Sequence, residues 1–166
     1  VAEGGKRVVL VDADLRKSVL KGRYKTNASR YGLSHYLSGQ ASIADVTCKT
    51  NIENFYVIFS GPVPPNPSEL LGNDAFRLLL EYLRNEYDYV IVDTPPLGSV
   101  IDGAVAAQYC DGTVVVIESG AISYKFAQKV KEQLEKVDCR ILGVILNKVN
   151  MSGKGYYGAY YGKYYG

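Results

Sequence analysis

A doubly wound α/β fold, with a parallel sheet and helices on both faces, is predicted by three features of this sequence. Short β-branched runs recur at residues 8–11, 55–59, 89–92, 113–117 and 141–146. Helical patterns lie between several of them, which calls for right-handed crossovers between parallel strands. Two of the runs end directly in aspartate, at the edge where ligands sit in open α/β sheets.

The elements follow in chain order. The opening VAEGGKR reads as the end of a helix, with Ala2 and Glu3 in a last turn and Gly4 and Gly5 in the left-handed exit. Lys6 and Arg7 suit the negative end of its dipole, and the chain is expected to begin inside a domain. The run at 8–11 is the first strand. Residues 17–54 are less regular, with short helices expected around 33–37 and 43–46. After the strand at 55–59, SGPVPPNPSELL (60–71) reads as a proline-rich loop at a strand's carboxyl end. Residues 73–86 place Phe76, Leu79, Leu80 and Leu83 at helical spacing behind Asn73 as cap. Residues 123–137 do the same with Phe126, Val130 and Leu134. Most of the strand runs are apolar throughout, as expected for strands buried on both faces. One domain over 1–150 and a flexible tail over 151–166 are expected.

The chain has 166 residues, enough for one buried core. Its net charge of +2 is too small to imply nucleic-acid binding, and none is expected. No apolar run approaches the ~20 residues of a membrane span. Cys48, Cys110 and Cys139 are odd in number and far apart, so they read as buried reduced thiols. His35 is the single histidine and reads as a helix-surface or half-buried residue. Lys125, Lys129 and Lys131 form a solvated face or an acidic-partner patch, and Tyr24, Tyr31 and Tyr36 read as packing residues.

Three segments carry chemistry. In VVLVDADLR an apolar strand runs into Asp12, with Asp14 and Arg16 following at steps of two. Ionised groups at a buried strand end need a metal, a cation or a substrate proton; Asp14 could instead cap a helix starting at Leu15. In YVIVDTPP a second strand ends in Asp93, the Walker B form, in which the carboxylate holds Mg²⁺. Paired in one parallel sheet, the two strands would bring Asp12, Asp14 and Asp93 around one magnesium ion and its phosphates. In ILGVILNKV the strand ends in Asn147 and Lys148. Asn147 suits an adenine edge or a simple turn.

These segments, with GPVPPNPSELL and a tyrosine-rich C-terminus in the same order, resemble the bacterial tyrosine kinases of capsular and exopolysaccharide synthesis. Those enzymes look like P-loop ATPases of the MinD and ParA type. The resemblance implies that VLVDADLR is the Walker A′ motif, with Asp12, Asp14 and its closing Arg16 catalytic; Arg16 could neutralise phosphate or pair with one of these carboxylates. It implies ATP and Mg²⁺ as cofactors, with Asp12 and Asp93 at the metal and Asn147 and Lys148 at the nucleotide. It further implies that Tyr156, Tyr157, Tyr160, Tyr161, Tyr164 and Tyr165 are autophosphorylated. The glycines at 155, 158, 162 and 166 oppose a stable helix there; a sticky Gly/Tyr tail without phosphorylation is the other reading. Implied partners are a transmembrane polysaccharide co-polymerase that activates the kinase, sister subunits in a ring that phosphorylate each other's tails, and a cognate tyrosine phosphatase. The implied location is the inner face of the cell membrane, on the cytoplasmic side.

A tyrosine hydroxyl, with a pKa of about 10, holds its proton at neutral pH. The resemblance assigns Asp12, assisted by Asp14, to accept that proton as phosphoryl transfer proceeds. The sequence contains no G-x-x-x-x-G-K-[ST]. That loop and its strand are expected upstream of Val1, so the chain alone is expected to bind ATP weakly or not at all. A MinD- or ParA-like assembly switch is the alternative function; Arg16 and the tyrosine tail argue against it.

Overall fold

The structure is a computed structural model and describes residues 1–20, 30–97 and 101–149. The strands are β1 (Val8–Asp12), β2 (Thr47–Lys49), β3 (Phe55–Ile58), β4 (Tyr89–Asp93), β5 (Thr113–Glu118) and β6 (Ile141–Asn147). The α-helices are α1 (Leu33–Leu37), α2 (Ile43–Val46), α3 (Pro67–Leu71), α4 (Asp74–Glu86), α5 (Asp102–Ala107) and α6 (Tyr124–Glu135). Tyr24 and the six tail tyrosines lie outside the described residues.

The expected α/β class with parallel strands is present. The strands divide into two sheets, one ordered β2-β3-β1-β4 and the other β5-β6. β1 is central and parallel to both β3 and β4, β5 is parallel to β6, and only the short edge strand β2 runs antiparallel. β1 is almost wholly buried because strands flank it on both sides. Its Val9 and Val11 meet Phe76, Leu79, Leu80 and Leu83 of α4 in the main core. α4 starts where the sequence places it, with the Asn73 side chain accepting from the Phe76 amide at 3.0 Å. Ser123 caps α6 in the same way through Phe126 N. The opening turn is a 3₁₀ segment, Ala2–Gly4, that exits through Gly5 at φ 83°.

Two expectations differ. The apolar runs of β4, β5 and β6 read as buried on both faces, yet β4 and β5 alternate in exposure and β6 is mostly exposed. β4 and β5 do not pair, and a cleft of about 1100 Å³ opens between them, lined by both strands from end to end. The stretch 60–71 is not all loop, because Pro67 opens α3 at its first position, where its missing N–H costs nothing. Among the described residues no helix is long and apolar enough to cross a membrane.

Candidate functional site

The carboxyl ends of β1 and β4 bring the site together. Asp12 pairs in register with Asp93, and the amide of Ala13 donates to the Asp93 carbonyl at 2.8 Å. The two aspartates therefore stand side by side on neighbouring strands. Asp12 is 0% exposed, whereas Asp93 is exposed. Asp12 Oδ2 accepts from the Ser18 hydroxyl and from the Ser60 amide at 3.3 Å. Among the described residues its Oδ1 has no hydrogen-bond partner. Burial pushes the Asp12 carboxyl above the usual carboxylate range, and the Ser18 and Ser60 bonds only partly oppose it.

Asp14 is used differently. Its Oδ1 accepts from the amides of Arg16 (3.1 Å) and Lys17 (3.0 Å), so it closes the turn that follows β1. The capping behaviour considered for Asp14 is present, although it caps a turn and not a described helix. The expected arrangement of three carboxylates around one ion is not what the described residues form: no group of three or more acidic, histidine or cysteine side chains is placed to share a metal. Asp12 and Asp93 are the adjacent pair.

The Arg16 guanidinium points to a carboxylate that sequence reasoning missed. Its Nε donates to Asp102 Oδ2 at 2.6 Å and its Nη2 to Asp102 Oδ1 at 3.1 Å. Ser68 Oγ donates to the same Oδ1 at 2.5 Å. Burial alone would push the Asp102 carboxyl up, but the Arg16 and Ser68 bonds outweigh it and hold it below its ordinary range. Ser18, Ser60, Ser68 and Asp102 carried no signal of spacing or motif. Each is brought in by a separate loop or helix start.

Asn147 and Lys148 close β6, in the second sheet. The Asn147 side chain accepts from the Lys148 amide at 2.9 Å, which is the turn reading, and Lys148 takes the left-handed conformation at φ 54°. Lys148 Nζ reaches Glu118 Oε2, 2.8 Å away at the end of β5. Glu118 and Asp93 both line the cleft between the sheets. His35 is half-buried; its Nδ1 accepts from Gly32 N, and Tyr31 meets its ring edge-on. Cys48, Cys110 and Cys139 are free thiols, and burial pushes Cys110 up to about 11.

Comparison with known proteins agrees with this frame. The AAA domain family matches residues 1–146. The tyrosine-protein kinase CpsD of Streptococcus agalactiae is 46% identical over 162 residues, which is 96% of this chain and 71% of that protein. The kinase domain of the Escherichia coli tyrosine kinase ETK superposes with a TM-score of 0.87 at 36% identity, over 93% of this chain and 60% of that one. The septum site-determining protein MinD of Pyrococcus horikoshii, solved with Mg-ADP, matches with a TM-score of 0.72 at 26% identity, covering 91% and 61%. The chain thus spans less than two thirds of these solved structures and somewhat more of CpsD. On a strand framework that sets Asp12 beside Asp93, and at these levels of identity, the chain belongs to the bacterial tyrosine-protein kinase family, built on an AAA-type domain.

Proposed function

We propose that this chain is part of an ATP-dependent protein-tyrosine autokinase that regulates capsular and extracellular polysaccharide synthesis. The observation that carries the reading is the register of Asp12 with Asp93, together with the buried Asp12 Oδ1 that has no partner. A charged oxygen held in that state calls for a cation or a proton. Magnesium fits, since it takes one or two carboxylates and completes its shell with water and phosphate oxygens. Asp12 and Asp93 would hold it. When bound, it would neutralise charge on the phosphates being transferred.

The chain's own groups then have separate tasks. Asp12 accepts the proton of the attacking tyrosine hydroxyl; its burial raises its proton affinity toward that task. Asp14 shapes the turn that presents it. Asn147 and Lys148, at the end of β6, are assigned to the nucleotide. The acceptors are Tyr156, Tyr157, Tyr160, Tyr161, Tyr164 and Tyr165, each gaining about −1.5 to −2 charges when phosphorylated. The family resemblance supports a membrane-spanning activator at the inner face of the membrane, ring assembly with exchange of tails, and a phosphatase that resets them.

The test is incubation of the full-length protein with Mg·ATP, followed by mass spectrometry. Phosphotyrosine is expected within residues 156–165, and D12N and D93N each lower it by at least about 10²-fold. The similarity to MinD supports a second reading, a nucleotide-driven assembly switch. ATP hydrolysis with no phosphotyrosine would select that reading.

A further inference from the structure

Asp102 is the first residue of α5 and is 0% exposed. A buried carboxylate is costly unless it is paired and hydrogen-bonded. Asp102 receives a forked bond from Arg16 and a third bond from Ser68, while Arg16 Nη2 also reaches Ser68 Oγ at 3.2 Å. Three separate segments meet there: the turn after β1, the start of α3 and the start of α5. The residue next to Asp102 adds a fourth. A Cβ on Gly103 would stand 2.9 Å from Leu97 Cδ2 and 3.1 Å from Thr94 Oγ1, so α5 lies directly on the loop that leaves Asp93.

The geometry on the β1 side is equally tight. Asp14 holds the Arg16 amide, and Asp102 holds the Arg16 side chain. Between Asp12 and Arg16, Ala13 is 0% and Leu15 1% exposed. With its buried residues fixed and Arg16 gripped at both ends, the turn has little freedom.

We propose that Asp102 is a positioning residue: acting through Arg16, it latches the Asp12–Asp14 turn to the loop beyond Asp93 and so holds the two aspartates in working register. The proposal rests on the kinase reading above for its activity arm only. Arg16 is then a structural arm of the latch and its guanidinium is committed to Asp102. A displacement of about 1 Å at a reacting group costs up to about 100-fold in rate, so a latch that acts at this distance has a measurable kinetic signature.

The experiment compares wild type, D102N, R16Q and the double variant in the full-length protein. A peptide of residues 155–166 is the acceptor, and Mg·ATP the donor. D102N and R16Q are each expected to lower kcat about 10- to 100-fold, with KM for ATP changed less than about threefold. The double variant is expected to fall no further than either single one, because the two residues act as a unit. Amide hydrogen exchange over residues 13–17 is expected to speed up in both single variants. Wild-type kcat in folded D102N, a loss confined to KM, or a double variant whose loss is the product of the two would each overturn the proposal. Should D102N fail to fold, S68A removes the two Ser68 bonds, to Asp102 and from Arg16, and leaves the charge pair; unchanged kcat and unchanged exchange in S68A would overturn it. If wild type makes no phosphotyrosine, the kinase reading fails on its own, and the exchange data alone decide on the latch: faster exchange in D102N and R16Q upholds it, and wild-type exchange overturns it.

Discussion

Asp12 carries its charge against the preference of its surroundings. It is 0% exposed and one of its oxygens has no partner among the described residues, so the ionised form is disfavoured and the carboxyl is pushed up. The sign of the linkage follows. A carboxyl whose native pKa is raised contributes stability that is fully present below its unfolded value, near 3.8, and lost as pH rises through the native value. Asp12→Asn removes the charge, while its side-chain oxygen can still accept from Ser18 and Ser60. D12N is therefore expected to melt higher than wild type at pH 7 without magnesium, by a few degrees for each kcal/mol relieved, about 2–4 °C. The gap should close on acidification through the native pKa of Asp12. Differential scanning fluorimetry from pH 4 to pH 8 checks this, and a D12N that melts lower than wild type at pH 7 would sink it. The same substitution removes the proposed proton acceptor, so the stability gain and the loss of phosphotransfer should appear together.

At the scale of elements, local rules explain what the sequence revealed and tertiary contacts explain what it hid. β1 and β4 were legible because an apolar strand that stops at an aspartate has few structural reasons to do so. α4 was legible because its apolar spacing and its Asn73 cap agree, and α6 because its apolar residues keep helical spacing. α3 was hidden by its prolines, since Pro67 marks a helix start as readily as a loop. β2 is three residues long and antiparallel, below what an apolar pattern can signal. The partners of the site stayed hidden for a different reason: Ser60, Ser68 and Asp102 are ordinary polar residues until the chain folds them against Asp12 and Arg16. The start of α5 offers a direct test of that dependence. Gly103→Ala places a methyl group 2.9 Å from Leu97 Cδ2 and 3.1 Å from Thr94 Oγ1, so the Leu97 side chain must turn aside and Thr94, next to Asp93, must give by a few tenths of an ångström. Overpacking of this kind costs about 1–3 kcal/mol. G103A is expected to lower the melting temperature modestly and to lower kcat about tenfold or more, as a misplaced Asp93 would. Full activity in a G103A protein that melts lower would show that the loop after β4 does not govern the site.

At the scale of the whole molecule, the division into two sheets sets the surface properties. On one face of the β5–β6 sheet Val114, Val116 and Ile145 are 46%, 62% and 54% exposed. The cleft beside them is about 1100 Å³ and lined largely by apolar side chains of β4 and β5. Strands with open edges and apolar faces recruit other chains. The small net charge of +2 gives little repulsion between copies. The 166-residue chain is therefore expected to self-associate through this face and to bind a hydrophobic dye such as ANS in its native state. Val116→Lys places a charge on the exposed face without touching the main core around Val9, Phe76 and Leu79, and lysine is the residue natural sheets use to discourage such contacts. V116K should shift light-scattering mass toward the monomer across a concentration series and lower the dye signal. Its melting temperature should stay within about 2 °C of wild type, because an exposed substitution costs roughly 0.5 kcal/mol or less. If V116K associates as wild type does, the open face of the second sheet is not what the chain uses to meet its copies, and the tyrosine-rich tail becomes the surface to mutate next.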